Sequence, residues 1–185
     1  MLASDGLKVG DQAVDFKLKN IDGKMVSLAG NKDAKGYILV FTCNTCPYSV
    51  AYEDRIIELH QKYAPKGYPV VAVQPNNAQR SPGDSFDKMK QRANEKGFSF
   101  PYLIDETQEV TRTYGATNTP HVYVLNRESG DRFVIEYIGA IDNNSRSATA
   151  ADQHYVQDAL DSLIEGKGVQ TTKTKAIGCT IKWAS

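Results

Sequence analysis

The stretch Phe41-Thr-Cys-Asn-Thr-Cys-Pro-Tyr-Ser-Val50 carries two cysteines separated by two residues, with a proline directly after the second. It follows Tyr37–Phe41, a short apolar run typical of a strand covered on both faces. It leads into residues 47–63, where apolar side chains recur at near-helical spacing and predict a helix. The cysteine pair is therefore predicted to lie where a buried strand ends and a helix begins.

The position of the helix start decides which cysteine the helix acts on. Proline is favoured at the first helical position, so Pro47 predicts a helix that starts there with Cys46 as its N-cap. The alternative is a helix that starts at Asn44, with Cys43 as the N-cap. A helix N-terminus presents unpaired N–H groups and a partial positive charge, which stabilise a thiolate. The first interpretation, which we prefer, gives this benefit to Cys46.

The spacing of the two cysteines is compatible with three kinds of site. Two residues in a tight turn can bring the sulfurs together for a reversible disulfide. A structural disulfide across so short a loop would stabilise the fold little. A zinc site would need a second ligand pair, and neither a second C-x-x-C nor an H-x-x-x-H occurs in the chain. Redox chemistry is the favoured interpretation.

The remainder of the chain predicts an α/β fold. Strands and helices alternate, which favours a mixed β-sheet between helices, and parallel strands place the cysteine pair at the carboxyl edge of that sheet. The predicted elements are an N-terminal β-hairpin at 15–19 and 25–28, strands at 69–73 and 102–104, helices at 86–96 and 109–114, a second hairpin at 121–125 and 132–137, and a helix at 153–165. Residues 1–165 are predicted to form the domain, and residues 166–185 a polar tail packed on it.

Composition limits the classes of function. Lys+Arg and Asp+Glu both number 22, so the formal net charge of zero argues against nucleic-acid binding. No apolar run is long enough for a transmembrane helix, and the start MLASDGLKVG lacks the regions of a signal peptide. We expect a cytoplasmic protein if the chain is complete, and a periplasmic or cell-envelope protein if a signal has been removed.

Several segments resemble the alkyl hydroperoxide reductase/thiol-specific antioxidant branch of the thioredoxin superfamily. The opening motifs are Lys8-Val-Gly-Asp11, Asp15-Phe-Lys-Leu18, Asp22-Gly-Lys24 and Val26-Ser-Leu28, and Leu39-Val-Phe-Thr42 with Cys46-Pro47 extends the match. The resemblance covers residues 8 to about 165 and implies a thioredoxin-like fold. More narrowly, Cys43-Asn-Thr-Cys-Pro47 and Tyr52-Glu-Asp-Arg55 resemble a peroxiredoxin-like group that contains a C-x-x-C.

The resemblance also implies roles for the site residues. Cys46 corresponds to the nucleophile, Cys43 becomes the resolving cysteine, and Thr119-Pro120 fits the loop with the superfamily's cis-proline. We expect Tyr48, Thr119 and Pro120 to form an uncharged surface for the substrate. The implied activity is thiol–disulfide exchange with a protein or small-molecule disulfide, without a cofactor or bound metal and with an external thiol as reductant.

Two alternatives remain open. The first is a thiol peroxidase acting on peroxide, but Cys43 occupies the position of the peroxiredoxin threonine and Pro120 falls near that of its arginine. The second is a copper-binding or metallochaperone protein, with His121 as the third ligand beside the cysteines; soft thiolates suit Cu(I). Cys179 is either a buried anchor of the tail or a third redox thiol that attacks a Cys43–Cys46 disulfide.

Glu53 lies on the predicted helix about two turns after Cys46 and is expected to be a solvated surface residue. Thioredoxin's buried carboxylate position corresponds here to Val40. A proton acceptor for the resolving step is therefore missing from its usual place, and Glu53 is assigned no role.

Overall fold

A computed structural model describes residues 5–185, which form nine strands, four α-helices and two short 3₁₀ segments. The first four residues of the predicted 1–165 domain lie outside the described part. The strands are β1 Leu18–Asn20, β2 Met25–Val26, β3 Gly36–Phe41, β4 Val70–Gln74, β5 Tyr102–Ile104, β6 Asn118–Thr119, β7 His121–Ser129, β8 Arg132–Gly139 and β9 Cys179–Thr180. The helices are α1 Pro47–Tyr63, α2 Phe86–Lys96, α3 Glu109–Tyr114 and α4 Tyr155–Ile164.

Seven strands form one mixed sheet in the order β2-β1-β5-β4-β3-β7-β8. Strands β3, β4 and β5 are parallel, and antiparallel pairs flank them on both sides. The predicted N-terminal hairpin is confirmed as β1 and β2, which are shorter than the apolar pattern indicated. The second predicted hairpin is confirmed with longer strands, because pairing continues to Ser129 and Arg132 and leaves only two residues in the turn.

The sheet separates two apolar layers. The three central strands β3, β4 and β5 are buried on both faces. Successive side chains of β3 alternate between the layers, with Ile38 and Val40 in one and Leu39 and Phe41 in the other. Helices α1, α2 and α4 cover the first layer, and α3, the N-terminal segment and Ile181 of the tail cover the second. The predicted mixed sheet between helices is confirmed.

Helix boundaries agree closely with local sequence signals. Helix α1 begins at Pro47 as predicted, and α2 ends at Gly97, which adopts the left-handed conformation that favours glycine. The Ser85 side chain caps α2 by accepting a hydrogen bond from the Lys88 backbone N–H. No helix within residues 5–185 is long and apolar enough to cross a membrane.

The tail at residues 166–185 lies along the domain. The backbone of Ile138 in β8 exchanges hydrogen bonds with Thr172 and Thr174, and β9 pairs antiparallel with the two-residue strand β6. This pairing carries the C-terminal segment to the edge of the sheet where β3 ends and α1 begins.

Candidate redox site

Cys46 lies at the N-cap of α1. Its backbone is extended (φ −72°, ψ 125°), and Pro47 occupies the first helical position, so the preferred interpretation of the helix start is confirmed. The first turn of α1 contains no acidic residue and no side-chain cap. The Cys46 sulfur therefore lies close to the unpaired N–H groups of a 17-residue helix.

Thr119 contacts both sulfurs of the C-x-x-C. The Thr119–Pro120 peptide bond is cis, as the resemblance implied. The Thr119 hydroxyl lies 3.5 Å from the Cys43 sulfur, and the Thr119 carbonyl oxygen lies 3.4 Å from the Cys46 sulfur. The opposite polar ends of one residue thus contact both cysteines.

The bonded cysteine pair differs from the predicted one. Cys46 forms a disulfide with Cys179, 133 residues away in sequence, and Cys43 is the one free cysteine among residues 5–185. The reason is tertiary: β9 pairs with β6 in a register that sets Cys179 opposite Thr119, next to the Cys46 sulfur. The role of Cys43 as resolving cysteine stays a prediction.

The tail fits closely into this position. The Asn118 side chain donates a hydrogen bond to the Gly178 carbonyl, and the Ile181 N–H donates to the Thr117 carbonyl. A Cβ atom on Gly178 would lie 2.0 Å from the Thr119 carbonyl oxygen, so only glycine allows the two backbones to approach this closely.

A buried carboxylate holds the loop between the two cysteines. Asp84 is completely buried and accepts hydrogen bonds from the Asn44 backbone N–H at 2.7 Å and from the Thr45 hydroxyl at 2.8 Å. It also accepts from Ser81 and from the Asn76 side chain, at 2.7 and 2.9 Å. The first two contacts hold the Asn-Thr spacer, and the other two hold the Asp84 carboxylate in place.

Glu53 is not the solvated residue that its helical position suggested. It is buried, and both carboxylate oxygens pair with the guanidinium group of Arg92 on α2, one of them through Nε at 2.8 Å. Glu53, Cys43 and Tyr102 line one small enclosed cavity. Burial raises the pKa of Tyr102 well above its usual value, and the charges of Cys43, Asp84 and Glu53 add to the rise. The prediction that Glu53 is solvated is therefore wrong, because its carboxylate is buried and paired with Arg92.

His121 does not complete a metal site. Its Nδ1 accepts a hydrogen bond from the Thr117 N–H at 3.3 Å, and its ring packs against Tyr123. Burial, with a smaller contribution from Lys173, lowers the pKa of His121 to about 4. In the described part of the chain, no three His, Cys, Asp or Glu side chains lie close enough together to hold a metal ion. The copper alternative is not supported.

Of the residues predicted to receive substrate, one is exposed and two are buried, with the tail paired to one of the buried two. Tyr48 remains 39% exposed at the start of α1, beside the equally exposed Val50. Thr119 and Pro120 are buried, and the backbone edge of Thr119 is already paired with Cys179. The predicted surface is therefore only partly open in this form.

Two residues of the site were not placed there by the sequence: the position of Cys179 beside Cys46 was left open, and Asp84 was not singled out. Cys179 belongs to the segment Cys179-Thr-Ile-Lys-Trp183, whose alternation of apolar and polar side chains is the pattern of a strand. That pattern was a usable signal for a strand carrying the third cysteine. Asp84 gave no such signal, because its partners come from three separate segments.

The fold and the position of the cysteines define a class of protein. A mixed sheet of this order, a cysteine at the N-terminus of the first long helix and a cis-proline facing it define a thioredoxin-like fold. Residues 9–141 match the AhpC/TSA family. The chain belongs to the AhpC/TSA family, the peroxiredoxin-like branch of the thioredoxin superfamily, as the sequence resemblance indicated.

Relatives of known name and solved structure agree with this assignment. The chain is 26% identical to the thiol-disulfide oxidoreductase ResA of Bacillus thuringiensis (strain Al Hakam) over 125 residues. This aligned stretch covers 66% of each of the two chains. A conserved protein from Geobacillus kaustophilus is similar over 95% of this chain and 92% of its own, with 37% identity and a TM-score of 0.86. The peroxidoxin BcpB of Mycobacterium tuberculosis, at 17% identity and a TM-score of 0.59, covering 86% and 95% of the two chains, shares the fold.

Proposed function

We propose that this protein is a thiol–disulfide oxidoreductase in which Cys46 is the nucleophile. The observation that carries the proposal is the position of Cys46, which caps α1, faces the cis-Pro120 loop and forms a disulfide there. A helix N-terminus lowers the pKa of a cysteine thiol, and the thiolate is the form that attacks disulfides. The name of the ResA relative supports the same reaction class.

The reaction proceeds by two exchanges. The Cys46 thiolate attacks one sulfur of a substrate disulfide; a Cys46–substrate disulfide forms, and the other substrate sulfur leaves as a thiolate and takes up a proton. Cys43, after losing its proton, attacks the Cys46 sulfur and releases the second substrate sulfur. The substrate gains two electrons and two protons, and the protein holds a Cys43–Cys46 disulfide. An external dithiol restores both thiols by the reverse exchange.

The arrangement supports Cys43 as the resolving thiol. The Cys43 sulfur contacts the Thr119 hydroxyl, and the Cys46 sulfur contacts the Thr119 carbonyl oxygen. Both sulfurs therefore contact the same residue. The Asp84 contacts hold the spacer between them in one conformation. Glu53 lines the same small cavity as Cys43, and both of its carboxylate oxygens pair with Arg92 there.

Trapping the mixed disulfide tests the roles. In a protein with Cys43→Ser and Cys179→Ser, Cys46 has no internal partner, so incubation with a disulfide substrate is expected to accumulate a stable Cys46–substrate adduct, measured by mass spectrometry. The matched control carries Cys46→Ser and Cys179→Ser and should accumulate little adduct. Alkylation of fully reduced wild-type protein at mildly acidic pH should label Cys46 first. Preferential adduct formation or labelling at Cys43 would reverse the assignment.

A further inference from the structure

The edge of Thr119 is occupied by the chain's own tail. Thr119 pairs with Cys179 and Asn118 with Thr180 in an antiparallel ladder, and Cys179 is covalently joined to Cys46. A substrate polypeptide in mixed disulfide with Cys46 would place its own cysteine at this same sulfur. An exposed strand edge binds such a polypeptide by backbone pairing, and the edge of β6 beside Cys46 is already occupied by β9.

The tail is also anchored beyond the ladder. The Lys182 backbone N–H donates to the Asn76 side chain, and the Lys182 carbonyl accepts from Asn77 and Gln108. Asn76 in turn donates to Asp84, the carboxylate that holds the cysteine loop. Ile181 is buried in the second apolar layer. These contacts hold the docked tail in the position that sets Cys179 beside Cys46.

We infer that residues 178–181 are an intramolecular substitute for the substrate strand, so that the form with the Cys46–Cys179 disulfide is a closed state that excludes polypeptide substrates. This inference rests on the proposed function and adds its regulation. It also specifies the substrate class: an extended polypeptide whose cysteine follows a glycine, because the Gly178 position leaves no room for a Cβ atom against the Thr119 carbonyl.

Opening the closed state starts from Cys43. Cys46 is only 4% exposed, so an external thiol has little access to its sulfur, whereas the buried Cys43 shares the Thr119 contact. The Cys43 thiolate attacks the Cys46 sulfur; the Cys43–Cys46 bond forms and the Cys46–Cys179 bond breaks. Cys179 leaves as a thiolate and takes the proton that Cys43 lost. The exchange changes no net oxidation state, and it frees the tail to leave the Thr119 edge.

The variant Gly178→Ala tests the closed state without altering a cysteine. Its matched control is Gly168→Ala in the same tail, where an added Cβ meets no atom within 4 Å. Both proteins and the wild type are equilibrated in a glutathione buffer, and the fraction with a Cys46–Cys179 disulfide is measured by mass spectrometry. Gly178→Ala is expected to lower the equilibrium constant for that disulfide about tenfold or more, because docking supplies the effective concentration of Cys179. Gly168→Ala should match the wild type.

A peptide experiment tests the substrate class. The oxidised dimer of a peptide Ile-Gly-Cys-Thr-Ile-Lys-Trp is offered to the reduced Gly178→Ala protein, whose own tail docks poorly, and its counterpart with Ala before the cysteine is offered in parallel. The glycine peptide is expected to form the Cys46 adduct about tenfold faster, and both peptides should react more slowly with the wild type. Equal rates for the two peptides would overturn the glycine requirement.

Failure of this inference is distinguishable from failure of the proposed function. An unchanged Cys46–Cys179 equilibrium in Gly178→Ala would overturn the closed state even if the protein reduces disulfides normally. A protein that forms no adduct at Cys46 after Cys43→Ser and Cys179→Ser would overturn the proposed function while leaving the tail equilibrium measurable. Circular dichroism of each variant checks that the domain is folded before these outcomes are compared.

Discussion

At the scale of single residues, burial decides how the histidines behave. His60 and His121 both accept a backbone N–H at Nδ1, and burial lowers the pKa of each ring. These contacts require a neutral ring whose Nδ1 has a free lone pair, because both nitrogens of a protonated imidazole are donors. Both histidines therefore act as fixed acceptors in the fold.

His121 is expected to make stability depend on pH. In the unfolded chain its ring takes up a proton near pH 6.5, whereas the folded ring stays neutral down to about pH 4. The unfolded state binds more protons between these values, so the contribution is complete above pH 6.5 and is lost as the pH falls towards 4. The loss is about 3 kcal/mol for a shift of this size. Denaturant unfolding from pH 7 to 4 should show a smaller loss in His121→Asn than in the wild type; equal losses in the two proteins would contradict this.

At the scale of elements, α1 and α2 are joined by two ion pairs of very different environment. Glu53 pairs with Arg92 below the surface, with side-chain exposures of 5% and 27%. Asp54 pairs with Lys96 at the surface, with exposures of 77% and 30%. A buried carboxylate that loses its partner is left without water, whereas an exposed one is simply solvated.

We therefore predict that Arg92→Met costs about 2–3 kcal/mol of unfolding free energy, because it leaves the Glu53 carboxylate buried and unpaired. The double variant Glu53→Gln with Arg92→Met should cost less than the sum of the two single changes. The control Lys96→Met breaks the exposed ion pair between the same two helices. It should cost under about 1 kcal/mol of unfolding free energy. Additive effects in the double-mutant cycle would show that the pair does not act as a unit.

At the scale of the whole molecule, the tail at residues 166–185 runs across the domain to the redox site. It pairs with Ile138 of β8, then passes the cysteine loop, and ends in hydrogen bonds with Asn76, Gln108 and Arg80. Ile181 completes the second apolar layer, and Trp183 lies under the guanidinium group of Arg112. The tail thus belongs to the packing of the domain as well as to its redox site.

The residues around the two C-x-x-C sulfurs predict weak turnover of peroxide. Cys43 stands where a peroxiredoxin has its threonine, and in the described part of the chain no arginine is among the hydrogen-bond partners of the two C-x-x-C sulfurs. Each missing donor to a developing charge costs about 10²–10³ in rate. Hydrogen peroxide consumption with a thiol reductant should therefore be at least about a hundredfold below that of ordinary thiol peroxidases. The Cys46→Ser variant supplies the background rate, and fast consumption that depends on Cys46 would restore the peroxidase alternative.

The sequence by itself determined the elements and the reactive position. The apolar run before Phe41, Pro47 at the helix start and Gly97 at a helix end are local signals, and each acts through backbone geometry within a few residues. They were enough to predict the α/β sheet and Cys46 at the N-cap. Only the tertiary structure decided which cysteine Cys46 bonds and that Glu53 is buried. Those outcomes depend on contacts between segments far apart in the chain, where no short pattern specifies which strand edge the tail will meet.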